Sequence, residues 1–260
     1  MGVRLDVDRI VPADKVGSYH VFLDAATVEF DGFKALDIDE FGVFYNELRV
    51  IIGPNGAGKT TLCDVISGRT PLTSGRAYVA QTDIRRASDV DIAAMRVGRK
   101  FQTPTVFDSL TVFENMDLAL PRTKSALGNL WHRQAPEEKD KIVSILEDVG
   151  LEEQMDIPAQ FLSHGQRQWL ALSMLMAAEP KLLLVDEPAA GLTEKETELT
   201  AQLLLRLKGE RTIIVIEHDM EFVEMLDSQV TVMNEGKILA HGRLAELRKN
   251  EEVVKAYLGR

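Results

Sequence analysis

The sequence predicts an α/β fold in which a parallel β-sheet is covered by helices on both faces. In the first half of the chain, the short β-prone run 48–52 ends at a glycine, and helix-forming residues follow from Lys59. In the second half, the apolar runs 182–185 and 212–216 have the length of buried strands and flank an amphipathic helix at 194–207. This alternation of buried strands and helices is typical of parallel pairing.

The segment between these two stretches is predicted to be an inserted helical subdomain, roughly residues 103–165, within a single domain of residues 1–260. Its apolar residues form no run typical of a buried strand. Thr111 and Glu114 have the spacing of a capping box, which marks the start of a helix. Two further helices are predicted here and just beyond, at residues 141–149 and 166–178.

The last part of the chain is predicted to continue the alternation and then to form a hairpin. A helix is expected from Met220, and two strands at 229–233 and 237–240 flank the turn sequence Asn234-Glu235-Gly236. Residues 244–258 are predicted to form one terminal helix.

Composition restricts the class of protein. The formal charge of −11, from 30 Lys and Arg against 41 Asp and Glu, argues against nucleic acid as the main partner. The single cysteine, Cys63, cannot form an internal disulfide, and packing in a helix is expected for it rather than redox switching. No apolar run reaches the length of a membrane span, and the first residues lack a signal-peptide pattern. We therefore expect a cytoplasmic protein whose membrane role, if it has one, depends on a partner.

Residues 53–60, Gly-Pro-Asn-Gly-Ala-Gly-Lys-Thr, match the phosphate-binding P-loop pattern between a strand and a helix. Backbone N–H groups of such a loop wrap around phosphates, and the following helix points its positive end at them. Lys59 can reach the β and γ phosphates, and the Thr60 hydroxyl can ligate Mg²⁺. The residues predicted to contact ATP in this loop are Gly53, Asn55, Gly56, Ala57, Gly58, Lys59, Thr60 and Thr61.

Two carboxylates, Asp186 and Glu187, follow the apolar run 182–185. Ligands of parallel sheets bind at the carboxyl ends of strands, which is where these side chains are expected. Asp186 is predicted to hold Mg²⁺ through water, and Glu187 to polarise the water that attacks the phosphate.

Three further features resemble the ATP-binding cassette (ABC) family over nearly the whole chain. Leu162-Ser163-His164-Gly165-Gln166 opens a helix before the Asp186 strand, Phe101-Gln102 precedes the helical insertion, and His218 follows the strand at 212–216. The resemblance implies a P-loop NTPase core with an antiparallel β subdomain and an inserted helical subdomain. It also implies that two such domains stack head to tail with Mg·ATP between them.

The resemblance assigns roles to residues that would be unremarkable singly. Gln102 would ligate Mg²⁺ and sense the attacking water, and His218 would hold the γ-phosphate. Phe30 is at the family's position for an aromatic that stacks on adenine, with Phe33 as a competitor and core packing as the alternative for both. The signature residues that would contact the partner's nucleotide are Ser163, His164, Gly165 and Gln166.

Two positions depart from the family pattern. The signature commonly has glycine where this chain has His164, and the loop after Glu187 commonly ends in aspartate where this chain has Thr193. A surface position at a helix start is expected for His164, with donation to the partner's phosphate as the alternative. Because Thr193 replaces this aspartate, the sequence does not determine whether the loop contacts a water molecule across the dimer interface.

Within the family, the sequence resembles ATPase subunits of importers for urea, with branched-chain amino acid importers as the alternative. His164 followed by Trp169 favours urea. The implied partners are membrane permease subunits, a second ABC ATPase and, indirectly, an external solute-binding protein, and the implied location is the cytoplasmic face of the cell membrane. Residues 103–107 are expected to form part of the permease-binding groove.

Two rival functions are compatible with an ABC cassette. One is a non-transport mechanical factor for DNA maintenance or ribosome work; the chain has one cassette, no coiled-coil insertion and an acidic balance, which argue against it. The other is a structural cassette that binds ATP and barely hydrolyses it. Glu187 and His218 argue against that second reading, whereas Thr193 keeps it open.

Overall fold

The computed structural model describes residues 16–100, 105–121 and 136–258. The strands are β1 Tyr19–Phe30, β2 Phe33–Phe44, β3 Leu48–Ile52, β4 Ser74–Val79, β5 Thr82–Asp83, β6 Val97–Lys100, β7 Leu182–Asp186, β8 Thr212–Ile216, β9 Gln229–Asn234 and β10 Lys237–Arg243. The helices are α1 Lys59–Ile66, α2 Asp89–Ala94, α3 Val112–Ala119, α4 Pro136–Val149, α5 His164–Ala177, α6 Glu194–Leu207, α7 Met220–Leu226, α8 Leu244–Leu247 and α9 Glu251–Val253, and a π-helical turn, Val254–Leu258, follows.

These strands form two sheets. The larger has the order β10-β9-β3-β8-β7-β6, parallel except for the antiparallel β9–β10 hairpin. The smaller is antiparallel with the order β2-β1-β4-β5. Together with the helices these sheets confirm the predicted fold class, an α/β core with an antiparallel β subdomain and helical parts.

The central strands are mostly apolar because helices or the smaller sheet cover both faces of the larger sheet, with Arg49 and Thr212 as buried exceptions. Every residue of β3 and β8 is buried. Alternate side chains enter two separate hydrophobic clusters: Val50 and Val215 lie in one with α5 and α6, whereas Ile51 and Ile216 lie in the other with α1. The continuous apolar runs read in the sequence are therefore strands with two buried faces.

The described part of the segment between β6 and β7 contains helices joined by turns and by one isolated β-bridge, Thr111 to Pro158, and it contains no strand. Thr111 caps α3 in the predicted capping box, in which Thr111 Oγ1 accepts from Glu114 N–H at 3.1 Å and Glu114 Oε2 accepts from Thr111 N–H at 2.8 Å. The assignment of residues 103–165 to a separate subdomain remains a proposal. No helix in the described part of the chain is both long enough and apolar enough to cross a membrane.

The single terminal helix predicted for residues 244–258 is wrong. The chain forms α8, breaks after Arg248, and starts again at α9. Asn250 causes the new start, because its side-chain Oδ1 accepts hydrogen bonds from the N–H groups of Glu252 and Val253 at 2.9 and 3.4 Å. An asparagine that satisfies the first free N–H groups favours a helix N-terminus over a helix interior.

His20 of β1 is a buried histidine that lies beside Thr212, the first residue of β8. Its ring is 2% exposed and stacks on Tyr45 with centroids 4.6 Å apart. Thr212 Oγ1 accepts from Asn46 N–H at 2.9 Å and shares a hydrogen bond of 2.6 Å with His20 Nδ1. Burial, and secondarily the charge of Lys181, lowers the pKa of His20 from 6.5 to about 4.

This histidine predicts a pH dependence of stability. Between pH 6.5 and 4 the unfolded chain binds a proton at His20 that the folded chain excludes, so the free energy of unfolding falls as the pH falls. The wild type should lose up to about 1 kcal/mol per pH unit more than His20→Gln in this range. Urea denaturation at a series of pH values measures the difference. The exposed His241, changed to Gln, serves as the control and should keep the wild-type slope; parallel curves for wild type and His20→Gln would contradict the prediction.

Candidate nucleotide-binding site

The P-loop joins β3 to α1, as the sequence predicts. Two of its glycines have backbone angles in the left-handed region and no room for a side chain. A Cβ on Gly53 would lie 2.2 Å from the Met233 carbonyl oxygen, and one on Gly58 would lie 2.6 Å from the Ala35 carbonyl oxygen. The loop is thus held against β9 and against the start of β2, and its shape needs glycine at both positions.

Lys59 folds back over this loop. Its Nζ donates to the carbonyl oxygens of Gly53 and Pro54 at 2.7 and 2.9 Å. Partial burial lowers the pKa of Lys59, and the carboxylates of Glu187 and Asp186 act in the opposite direction. The ammonium group is therefore positioned inside the loop, where a bound phosphate chain would replace its carbonyl partners.

Asp186 ends β7 beside the P-loop. Burial raises the pKa of its carboxyl group, and the nearby Arg99 opposes that rise. A cation next to Asp186 would favour the ionised form, so the residue fits a Mg²⁺ ion held directly or through water. Thr60 lies exposed in the first turn of α1, where its hydroxyl is free to reach such an ion.

Glu187 has an unusual backbone conformation for a non-glycine residue. Its φ is 46°, in the left-handed region, and its N–H donates to the Ile216 carbonyl oxygen at 2.9 Å. A residue held in this region costs on the order of 1 kcal/mol, and such residues cluster at functional sites. The carboxylate Oε1 lies 3.4 Å from His218 Nδ1.

The P-loop, Glu187 and His218 line one open cavity of about 840 Å³, whereas Lys59, Thr60 and Asp186 are not among its lining residues. The P-loop forms one side, Glu187 and His218 form another, and the β9–β10 turn and the C-terminal segment complete the wall. The residues that line the cavity are Gly53, Pro54, Asn55, Gly56, Ala57, Glu187, His218, Asn234, Glu235 and Ala256. The volume and the polar lining suit a nucleotide.

One residue beside this cavity was missed by the sequence analysis. Glu217, between β8 and His218, is 1% exposed, and its carboxylate accepts hydrogen bonds from three backbone N–H groups. The only signal in the sequence is its position, an acidic residue between the apolar run 212–216 and His218, and acidic residues at strand ends are a common surface feature.

The signature residues lie elsewhere, and none of those described lines the cavity. Ser163 caps α5 in a capping box with Gln166. His164 is exposed, as expected, and its ring packs against Gly191, where a Cβ would lie 3.2 Å from Nε2. Gly165 is buried, and a Cβ there would lie 2.1 Å from Glu196 Oε1. These residues therefore connect α5 to the loop after Glu187 and to α6.

Three other predicted positions have different outcomes. Thr193 is the N-cap of α6: its Oγ1 donates to Glu196 Oε2 at 2.8 Å and accepts from Glu196 N–H at 3.4 Å. Cys63 is buried in α1, and burial raises the pKa of its thiol to about 12, which fits packing rather than redox chemistry. Gln102 lies outside the described residues.

The two candidate adenine-stacking aromatics face each other across the β1–β2 turn. Phe30 pairs with Phe33 in the ladder, and the rings are 51% and 67% exposed. The turn is close to the P-loop because the nearby Ala35 carbonyl contacts Gly58. The geometry fits either residue as the adenine contact and argues against core packing for both.

The fold and this cavity define a P-loop ATPase, and comparisons with known proteins give the family. The model of the family described as "ABC transporter" matches residues 36–190, and that described as "Branched-chain amino acid ATP-binding cassette transporter" matches residues 237–260. The chain belongs to the ABC transporter family, as one of its ATP-binding subunits.

Individual relatives agree with this assignment. The chain is 34% identical over 241 residues to the high-affinity branched-chain amino acid transport ATP-binding protein LivG of Escherichia coli, a match that covers 89% of this chain and 94% of LivG. It is similar to a solved ABC cassette in its ADP conformation, with TM-score 0.78, 30% identity and coverage of 93% and 99%. A dimeric cassette bound to ADP and Pi matches with TM-score 0.73, 25% identity and coverage of 86% and 98%.

The open choice between the two aromatics gives a prediction. Stacking of a base on an aromatic ring contributes about 1–3 kcal/mol, so Phe30→Ala should weaken ATP binding about tenfold. Titration with a fluorescent ATP analogue measures the dissociation constant, and Phe33→Ala on the facing strand end is the matched control. A loss confined to Phe33→Ala would assign adenine to Phe33, and two neutral variants would contradict the stacking role of this turn.

Proposed function

We propose that this chain is the ATP-hydrolysing subunit of an importer and that hydrolysis takes place in the cavity between the P-loop and Glu187. The observation that carries the proposal is the convergence of Lys59, Asp186, Glu187 and His218 at the carboxyl ends of adjacent parallel strands. Family membership supports the ATPase activity, and the site geometry supports the roles given below.

In this proposal the P-loop N–H groups and Lys59 hold the phosphate chain. Thr60 and Asp186 would hold Mg²⁺, with Gln102 as a further ligand, and the bound ion would supply positive charge next to the phosphates. Glu187 accepts a proton from the attacking water. His218, 3.4 Å from Glu187, donates a hydrogen bond to the terminal phosphate and keeps the carboxylate aligned.

The complete site is proposed to need two cassettes. Ser163, His164, Gly165 and Gln166 lie at the N-terminus of the long helix α5, which favours anions. Because those residues do not line the chain's own cavity, the phosphate that they would bind belongs to a partner cassette. The similarity to a dimeric cassette bound to ADP and Pi supports this arrangement.

An apolar surface on the helical part is proposed to receive the permease. Phe107, Ile157 and Phe161 are 54%, 38% and 72% exposed. Backbone hydrogen bonds bring their segments together: Gln160 N–H donates to the Asp108 carbonyl at 3.0 Å and Ala159 N–H donates to the Leu110 carbonyl at 2.9 Å. Exposed aromatics clustered in this way are typical of a protein-binding surface. Phe107 belongs to the segment 103–107 expected to line the groove, of which residues 103 and 104 lie outside the described part.

The relatives support a branched-chain amino acid as the imported solute better than urea. LivG is named as a branched-chain amino acid transport ATP-binding protein, and the description of the family model that matches residues 237–260 also names branched-chain amino acids. Urea, the first choice from the sequence, is supported only by the pattern around His164 and Trp169 and stays the second candidate. The partners in this proposal are two permease subunits, a second cassette and an external solute-binding protein, with the chain at the cytoplasmic face of the membrane.

A variant that binds ATP without hydrolysing it tests whether two cassettes share the site. Glu187→Gln removes the base and keeps ATP binding, so Mg·ATP should drive the variant from monomer to dimer in size-exclusion light scattering. The same variant with Lys59→Ala added should stay monomeric because it lacks the phosphate contact. A Glu187→Gln chain that binds ATP and stays monomeric would contradict pairing between two copies and would favour a different cassette as partner.

Uptake measurements test the importer and identify the solute. Cells that lack this chain should lose most of their high-affinity leucine uptake, and the wild type, but not Glu187→Gln or Phe107→Asp, should restore it. Val90→Asp places a charge on an equally exposed apolar residue outside the proposed groove and is the matched control. Loss of urea uptake alone would assign urea, and unchanged uptake of both solutes would overturn the importer proposal for these solutes.

A further inference from the structure

Glu217 is a buried carboxylate that joins two loops of the site. Its Oε1 accepts from Ala189 N–H at 3.1 Å, and its Oε2 accepts from His218 N–H at 2.7 Å and from Asp219 N–H at 3.1 Å. Ala189 lies two residues after Glu187. One side chain therefore holds the backbone next to the proposed base and the backbone of the proposed phosphate-binding histidine.

The strained conformation of Glu187 makes this support important. Its N–H is fixed to the end of β8 through the Ile216 carbonyl at 2.9 Å. Glu217 fixes the chain on the other side of Glu187, so the left-handed residue lies between two anchors. Without the second anchor, Glu187 could relax toward an ordinary backbone conformation and move its carboxylate away from the cavity.

A buried charge needs compensation, and Lys100 is positioned to provide it. Lys100 is 5% exposed, and none of the described residues accepts a hydrogen bond from its Nζ. It pairs with Val185 in the parallel ladder, and Val185 pairs with Val215. Residues paired across a parallel ladder point to the same face, so Lys100 shares a face with Val215, and Glu217 follows Val215 by two residues, just after the end of β8.

Electrostatics agree with this placement. The carboxylates of Asp186 and Glu217 both attract the Lys100 ammonium group. That attraction offsets part of the cost of a carboxylate removed from water.

We propose that Glu217, supported by the buried charge of Lys100, is a positioning residue that sets the relative orientation of Glu187 and His218 for ATP hydrolysis. It does not touch the nucleotide and acts through the two loops that it joins. The inference rests on the roles proposed above for Glu187 and His218.

Single-turnover hydrolysis with the full chain in excess over Mg·ATP tests this role. Glu217→Gln keeps the size of the side chain but replaces one acceptor oxygen with a donor, so the hydrolysis rate should fall by about 10- to 100-fold. The dissociation constant for ATP should change by less than about threefold, since no P-loop contact is altered. Glu221→Gln, an exposed carboxylate in the same segment, is the matched control and should retain the wild-type rate.

Combined variants separate positioning from general structure. If Glu217 acts partly through His218, adding Glu217→Gln to His218→Ala should reduce the rate by a smaller factor than Glu217→Gln does in the wild type, because the orientation of His218 no longer matters. Lys100→Met should lower the rate without weakening ATP binding, and Lys100→Arg should recover part of it. The two Lys100 variants test the positioning role even if Glu217→Gln fails to fold.

The outcomes distinguish this inference from the proposed function. A Glu217→Gln variant with the wild-type rate, or one whose ATP affinity falls in parallel with its rate, overturns the positioning role. Full additivity with His218→Ala overturns it as well. If Glu187→Gln itself hydrolyses ATP at the wild-type rate, the failure lies in the role proposed for Glu187.

Discussion

Parallel pairing of β3, β8 and β7 is the constraint on which the site depends. Parallel strands present their carboxyl ends at one edge, so the loops after them must meet there. The P-loop follows β3, His218 follows β8, and Asp186 ends β7, with the ladder matching Ile51 to Ile216 and Ile216 to Asp186. The strand pairing thereby brings residues that are far apart in sequence to one edge of the sheet, even where their loops form no direct bond with each other.

Much of the core could be predicted because both faces of the larger sheet are covered. Strands buried on both faces are continuous apolar runs, and β3 and β8 have the predicted bounds. The long strand β1 gave no comparable signal. Residues 20–24 are all buried, and alternation begins only at Ala25, which has φ 46° and lies where the β1–β4 ladder shifts register. The strand as a whole therefore lacks the period of two that identifies a half-buried strand.

Site prediction had a similar limit. A motif that binds phosphate through backbone groups is contiguous in sequence, so the P-loop could be predicted from its residue pattern. The Asp186-Glu187 pair could be predicted from its place directly after the apolar run 182–185. The importance of Glu217 arises from contacts with Ala189, 28 residues earlier, which only the folded sheet creates. The choice between Phe30 and Phe33 could not be made from sequence because the two residues are partners across one turn.

The packing of Gly165 on Glu196 has a mechanical consequence. Glu196 also accepts from the Thr193 N–H at 2.8 Å, so one carboxylate clamps the start of α5, the start of α6 and the end of the loop that begins at Glu187. His164 also packs against Gly191, so the start of α5 contacts this loop at a second point. A displacement of α5 would therefore shift the loop that follows Glu187, the proposed base, through these side-chain contacts.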